Sequence, residues 1–257
     1  MKLTCLYENT TQNPALIPNH GFAVLIEVGG KTILFDFGQT PDLLTNALAL
    51  GGDLSKVDVG VLSHGHYDHA GGISSFLQKN TRATVYLHKQ AFGAYYNVQE
   101  KYIGVDPLLQ NHPRLQLVEI DTPLVPGVTL RMAKPTLVTP LYHGTLTQKL
   151  GNTFSPDPFD HELYLQVEEG ENRVIFSGCA HKGVGNILSW FEPTHFVGGM
   201  HLSHFPCDQT LITLATRLQQ FPTRFYTGHC TGQEQFSFLE QKGLPIFYLS
   251  CGEVVEI

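Results

Sequence analysis

The sequence lacks clustered basic residues, apolar runs long enough to cross a membrane, and any C-x-x-C pair. Of its 257 residues, 16 are Lys or Arg and 23 are Asp or Glu, so the formal net charge is −7. Proteins that bind nucleic acid normally carry a basic patch that neutralises phosphates. A membrane-spanning helix needs about 20 mostly apolar residues. We therefore expect neither a nucleic-acid nor a membrane partner, and the sequence leaves the oligomeric state open.

The first residues, Met1–Asn9, also lack the long apolar segment and the cleavage site of a signal peptide. The five cysteines are widely spaced and odd in number, which is typical of a reducing compartment rather than of a disulfide framework. Together these features predict a cytoplasmic protein. Hydrophobic content of 42% and charged content of 15% are those of an ordinary globular chain, so intrinsic disorder is excluded.

Histidine is abundant instead, with 13 residues, and the densest group follows an apolar run at Val57–Leu62. Three histidines and one aspartate occupy six positions there: His64, His66, Asp68 and His69. Imidazole is a preferred ligand of zinc, and carboxylate extends the range of metals towards manganese and iron. A strand that ends in a tight loop can direct these side chains to one or two metal ions.

The two halves of the chain repeat one order of elements, which predicts the fold. Each half has a hairpin with a glycine turn, at Gly29-Gly30 and at Gly170, and then strands that end in ligand-type residues before a helix. The second-half strand ends are Ser177–Gly183, Phe196–His201 and Thr227–Gly232. We expect an α/β protein with two sheets packed face to face and helices outside, folded as a single domain over residues 1–257.

Some segments show weaker patterns. We predict a helix over Ala70–Lys79 and a short strand at Thr136–Val138. Gln90–Pro113 is aromatic and polar without periodicity, and Tyr142–His161 is predicted to be a long loop. Long loops within compact domains are often functional, so these last two segments are expected to decide the substrate.

The cluster His64-Gly65-His66-Tyr67-Asp68-His69 resembles the H-x-H-x-D-H motif of the metallo-β-lactamase superfamily. Further matching segments run along the whole chain: Phe35–Gly38, Ser177–Cys179 and Gly228-His229. The resemblance implies a four-layer αββα sandwich with one or two divalent metal ions. These would be Zn²⁺ in most members, with Mn²⁺ or Fe²⁺ as alternatives.

The resemblance also implies roles for individual residues. His64 and His66 should bind metal 1, Asp68, His69 and His229 should bind metal 2, and Asp68 should also orient a water. Asp36 should orient a metal-binding histidine through its other ring nitrogen. Cys179 stands where the superfamily has a bridging Asp or a Cys, and it is either a ligand or a small buried residue.

Metal 1 is left without a third histidine, and this is a departure from the pattern. His181 is the favoured candidate because it follows the same strand end, and His143, His161 and His201 are the alternatives. His20 and His201 are expected to face the pocket and to bind a polar or phosphorylated substrate.

Three functions are compatible with these residues. The leading hypothesis is a metal-dependent hydrolase in which a dinuclear centre activates water against a small metabolite, phosphorylated or not. The second is a pterin-linked synthase that forms a C–N bond, because the motifs resemble the superfamily branch named after the dihydropterin ribofuranosylaminobenzene 5′-phosphate synthase of methanopterin biosynthesis. The third is a metal-binding protein without catalytic turnover.

Overall fold

The computed structural model describes residues 1–138 and 146–257. Two seven-stranded sheets, in the orders β17-β1-β2-β3-β4-β5-β7 and β16-β15-β14-β13-β12-β9-β8, form its centre, and a small sheet has the order β11-β10-β6. The strands are β1 (Lys2–Tyr7), β2 (Ala23–Val28), β3 (Lys31–Phe35), β4 (Val59–Val61), β5 (Thr84–His88), β6 (Tyr95–Tyr96), β7 (Leu115–Val118), β8 (Thr122–Val125), β9 (Val128–Met132), β10 (Thr147–Leu150), β11 (Thr153–Pro156), β12 (Leu163–Glu169), β13 (Asn172–Ser177), β14 (His195–Gly198), β15 (Arg224–Thr227), β16 (Ile246–Tyr248) and β17 (Val254–Glu256).

Helices cover the outer face of each large sheet. They are α1 (Asp42–Ala49), α2 (Tyr67–Ala70), α3 (Ile73–Lys79), α4 (Val184–Phe191), α5 (Gln209–Leu218) and α6 (Gln233–Gln241), with single 3₁₀ turns at Leu54–Lys56, Pro107–Leu109 and His229–Thr231. No helix in the two described ranges combines the length and the hydropathy that a membrane span requires.

Alternation of side chains along the strands builds the layers. In β2, Val24 and Ile26 belong to the apolar core between the two sheets, whereas Ala23 and Leu25 belong to the core beneath α1 and α3. Successive side chains of a strand point to opposite faces, so a strand with apolar residues on both faces must be covered on both. Full burial of a Val, Leu or Ile side chain stabilises the fold by about 1.5–3 kcal/mol. The predicted αββα sandwich is confirmed.

Parallel strands bring the ligand-type residues to one edge. The strands β3, β4 and β5 are parallel neighbours in the first sheet, and β13, β14, β15 and β16 are parallel neighbours in the second. Their carboxyl ends therefore lie at the same edge, with Asp36 after β3, Ser63 and His64 shortly after β4, Cys179 after β13 and His229 after β15.

Three local predictions were partly or wholly wrong. The helix predicted over Ala70–Lys79 is present as α3, while Ala70 ends the separate helix α2. Gly71 and Gly72 lie between them, packed so closely against the carbonyls of Gln39 and Phe37 that a Cβ at either position would overlap them. Thr136–Val138 is not a strand, and a strand at Thr122–Val125 was missed. The described part of the predicted loop Tyr142–His161 contains the hairpin β10–β11, which pairs with Tyr95–Tyr96. This segment is polar and shows no apolar alternation, so the sequence does not indicate these weakly buried strands. The single-domain boundary stays a prediction.

Candidate metal centre

The loop between β4 and α2 fixes the orientation of His64 through a chain of hydrogen bonds. Ser63 Oγ donates to Asp36 Oδ2 (2.8 Å) and lies 2.8 Å from His64 Nδ1. The hydroxyl has one hydrogen, and it donates this hydrogen to the carboxylate. His64 Nδ1 is therefore the donor in the hydrogen bond between His64 and Ser63 Oγ. His64 Nε2 therefore carries a lone pair, and this fully buried atom has no hydrogen-bond partner among the described residues.

The ligand-type imidazoles beside His64 also lack partners. His66 Nε2 and both ring nitrogens of His181 are buried and unpaired within residues 1–138 and 146–257. The ring centroid of His181 lies 4.9 Å from that of His64 and 5.0 Å from that of His66. Burial, and then the neighbouring histidines, hold the pKa of His64 and of His181 well below the usual range. Both imidazoles are therefore neutral at pH 7, which is the form that binds metal.

A buried carboxylate that the sequence reasoning missed positions His181. Glu162 accepts hydrogen bonds from the backbone N–H groups of His181 (2.7 Å) and Lys182 (2.9 Å), and from the hydroxyl of Tyr164 (2.7 Å). Phe159 stacks on the His181 ring, with centroids 4.3 Å apart and planes at 5°. These contacts fix both the backbone and the ring, so that the unpaired nitrogens keep their direction.

His69 and His229 form a second group of convergent nitrogens. His69 Nδ1 lies 2.7 Å from Asp36 Oδ2, and His229 Nδ1 lies 2.9 Å from Asn9 Oδ1, which also accepts the Gly21 N–H (3.3 Å). Both Nδ1 atoms are therefore donors, and the two Nε2 atoms face each other at 3.2 Å. Two lone pairs at this distance repel each other unless a cation or a proton lies between them.

Acidic and sulfur ligands complete this second group. Asp68 Oδ2 lies 3.3 Å from His229 Nε2 and 3.7 Å from His69 Nε2, and Cys179 Sγ lies 3.1 Å from His69 Nε2. Burial opposes a charge on His69, but the carboxylates of Asp36 and Asp68 raise its pKa to about 9. A divalent cation that binds here must displace that proton, so its affinity should fall as the pH decreases below about 9.

Cys179 belongs to both groups. Its sulfur and the ligand nitrogens of His64 and His181 lie within 4.8 Å of one another, and the same holds for its sulfur with His69 and His229. The residue is 3% exposed. A thiolate in this position can contact two cations at once, which suits a bridging ligand.

Glu8 fixes the backbone of His229, as Glu162 fixes the backbone of His181. Its carboxylate accepts hydrogen bonds from the His229 N–H (2.5 Å), from the Thr10 N–H (2.6 Å) and from the Tyr248 hydroxyl (3.1 Å). His229 has a φ of +50°, a conformation that non-glycine residues adopt only when their surroundings fix it. Glu8 and Asn9 therefore hold His229 in place by its backbone and by its ring.

Sequence and structure comparisons identify the family. Residues 16–229 match the metallo-beta-lactamase superfamily. The chain belongs to this superfamily. A solved structure described as a metal-dependent hydrolase of the beta-lactamase superfamily is 28% identical and superposes with a TM-score of 0.86, over 100% of this chain and 99% of that one.

Two relatives come from Methanocaldococcus jannaschii. An uncharacterised protein is 27% identical over 98% of both chains. The 7,8-dihydropterin-6-methyl-4-(β-D-ribofuranosyl)-aminobenzene-5′-phosphate synthase is 24% identical, and the match covers 92% of this chain and 90% of the synthase. The similarity therefore extends over nearly the whole chain in both cases.

His161 is a poor candidate for the third ligand of metal 1, because both of its ring nitrogens have partners. His161 Nδ1 accepts the Gly65 N–H (2.8 Å), and His161 Nε2 lies 3.1 Å from Asp157 Oδ2. Both ring nitrogens are occupied, although burial lowers the pKa of His161 to about 4. Asp157 Oδ2 is also 3.8 Å from His66 Nε2, so His66, Asp157 and His161 form a further group of ligand-type side chains on the same side of the His66 ring.

His201 has one ring nitrogen that could serve as the third ligand of metal 1. Its Nδ1 is buried and unpaired among the described residues, and its ring lies 4.3 Å from that of His181, next to Cys179 and Cys230. His143, another candidate for this role, lies outside the described residues. The geometry favours His181, whose two nitrogens are both available, and the assignment itself stays a prediction.

The predicted substrate-binding histidines line a cleft of about 480 Å³ above the metal ligands. His20 is half exposed there, and its Nε2 lies 3.2 Å from Asp68 Oδ2, a contact that raises the pKa of His20. His201 and the exposed His204 also line the cleft. No motif in the sequence singles out His204, so its place at the cleft is a finding of the structure.

Asp36 is placed to hold both groups together, since one carboxylate contacts His69 directly and His64 through Ser63. Replacing Asp36 with asparagine keeps its shape but removes the charge that fixes the two imidazole tautomers. We expect Asp36→Asn to weaken metal binding about 10- to 100-fold, the usual cost of losing such a partner. Competition with a chelator of known affinity measures this. Asp106→Asn, at an exposed 3₁₀ turn, is the control and should not change the affinity.

Proposed function

We propose that this protein is a metal-dependent hydrolase with a dinuclear centre. The observation that carries the proposal is the set of buried, unpaired imidazole nitrogens on His64, His66 and His181. A buried polar atom without a partner costs about 1–3 kcal/mol, so several together indicate a site for a bound cation rather than a packing accident. The 28% identical hydrolase with the same fold supports the reaction class.

The donor atoms divide into two sets. His64, His66 and His181 would hold one cation, Asp68, His69 and His229 would hold the other, and the Cys179 sulfur would lie between them. Imidazole and thiolate donors favour zinc, and the carboxylate also admits manganese or iron. When bound, such a pair supplies Lewis acidity and an acidic water as nucleophile. The carboxylate of Asp68 would accept a hydrogen bond from that water and direct its lone pair towards the substrate.

The charge of the cleft restricts the substrate. Among its described lining residues, histidines, amides, hydroxyls, the Cys179 and Cys230 thiols and the Asp68 carboxylate supply the polar contacts, and neither Lys nor Arg is present. Recognition of a phosphorylated metabolite usually employs Arg or Lys. We therefore propose a small, uncharged carbonyl compound, such as an ester, thioester or lactone, rather than a phosphorylated one.

The pterin-linked synthase remains the second candidate because of the 24% identical relative. In that reaction the cations would act as Lewis acids towards a phosphorylated partner, whose phosphate would find no Lys or Arg among the described cleft residues. A binding protein without turnover is the third candidate, and a broad panel of substrates distinguishes it from the first two.

The test is metal-dependent hydrolysis. The purified protein should contain up to two divalent ions per chain by elemental analysis, and it should hydrolyse at least one member of a panel of esters, thioesters, lactones and phosphomonoesters. Removal of the metal with a chelator should reduce that activity to background, and addition of Zn²⁺, Mn²⁺ or Fe²⁺ should restore it. His66→Ala should lose metal while retaining the fold, with His195→Ala, at the start of β14, as the control. Full activity in a metal-free preparation would contradict the proposal.

A further inference from the structure

A second cavity adjoins the metal cleft. It has a volume of about 460 Å³ and lies between the first turn of α4, the loop after β14 and the helix α5. Val184, Met200, Leu202, Leu211 and Leu214 give it apolar walls. The volume falls within the range of about 300–1,000 Å³ that is typical of ligand pockets. Such a surface binds ligands by removing their apolar groups from water.

The cavity and the cleft share two side chains, His181 and His201. The rings of these histidines lie 4.3 Å apart, at the point where the two spaces meet. His201 is held there with a φ of +53°, and its backbone N–H donates to Cys230 Sγ (3.3 Å). The cleft and the apolar cavity therefore adjoin at these two side chains.

The charges around the cavity indicate what it can accept. Apart from the histidines, Arg217 is the one ionisable side chain among its described lining residues. The Arg217 Nη2 donates to the Val138 carbonyl (2.9 Å), so this guanidinium is already engaged. The remaining polar groups, on Gln209, Thr210 and Thr213, lie on exposed positions of α5. The interior wall therefore favours an uncharged, apolar occupant.

We propose that this cavity binds the apolar arm of the substrate, a linear acyl chain of medium length whose scissile carbonyl lies at the metal ligands. The proposal rests on the function proposed above and specifies its substrate class. In the reaction, water adds to the carbonyl carbon, the bond from that carbon to the leaving oxygen breaks, and the leaving alcohol takes up a proton. The products are a medium-chain carboxylic acid and an alcohol.

Chain length provides the kinetic test. With the metal-loaded protein and p-nitrophenyl esters from acetate to octanoate, kcat/KM should rise about fourfold per methylene until the cavity is filled, because each buried methylene contributes about 0.8 kcal/mol. Leu214→Trp should fill the cavity and abolish the rise. Leu214→Ala, which enlarges the cavity, should move the optimum to longer chains. Thr216→Trp on the exposed side of the same helix is the control and should behave as the unmodified protein.

Calorimetric titration with octanoate and butyrate tests binding independently of turnover. Four additional methylenes should make octanoate bind about 250-fold more tightly, and Leu214→Trp should remove this difference. Equal affinity for the two acids, or a chain-length profile that Leu214→Trp does not alter, would overturn the proposal. If no ester is hydrolysed but octanoate still binds more tightly in a manner sensitive to Leu214→Trp, the cavity assignment stands and the hydrolase function fails.

Discussion

Replacing His181 with alanine is expected to remove one metal ion per chain and to lower kcat/KM about a thousandfold. Without this imidazole, one cation would keep only His64, His66 and the shared Cys179 sulfur. A catalytic metal contributes several kcal/mol of stabilisation to the transition state, and about 4 kcal/mol corresponds to a thousandfold change in rate. Elemental analysis of the purified variant gives the occupancy, and the best substrate of the hydrolysis panel gives the rate.

His161→Ala is the matched comparison, because His161 is equally buried but has both nitrogens engaged. The His161→Ala variant should keep both metal ions and bind one of them less tightly, since the His161 side chain affects His66 only through Asp157. The opposite pattern, with full occupancy in His181→Ala and one ion missing in His161→Ala, would transfer the role to His161. Full occupancy in both variants would transfer it to His143 or His201.

Replacing Gly178 with alanine is expected to destabilise the protein by about 2–6 kcal/mol and to disrupt the metal centre. A Cβ at this position would overlap Ser63 Oγ and would lie 2.9 Å from His64 Nδ1 and 3.0 Å from Asp36 Oδ2. All three atoms belong to the hydrogen-bond chain that sets the tautomers of His64 and His69. Overpacking of a buried site costs about 1–3 kcal/mol, and each broken buried hydrogen bond adds about 1–3 kcal/mol.

Urea unfolding measures the loss of stability, and metal titration measures the loss of affinity. Ser63→Ala separates the two contributions, since it removes the hydrogen bonds without introducing the overlap. The double variant Ser63→Ala/Gly178→Ala should be less destabilised than the sum of the single variants, because the most severe overlap is gone. Strict additivity would show that overlap with Ser63 Oγ does not cause the loss of stability, and a Gly178→Ala protein as stable as the parent would show that the site tolerates a side chain there.

The sequence alone determined the layers of this fold and half of the candidate site. The hairpins and the strands that end in ligand-type residues are local patterns, and they match the structure closely. The motif from His64 to His69 is local as well, so its ligand chemistry could be read directly. The hairpin β10–β11 could not, because strands with little burial carry no apolar alternation.

Tertiary structure decided which distant residues join that motif and in which protonation state. His181 and His161 are both histidines near strand ends, and the sequence cannot show that one has free nitrogens and the other has none. Glu8 and Glu162 are ordinary acidic residues in the sequence, yet each accepts the backbone N–H of a ligand histidine. Hydrogen-bond partners and burial depend on residues far apart in the chain, such as Glu8 and His229 at 221 positions apart, and only the packing of the two sheets brings them together.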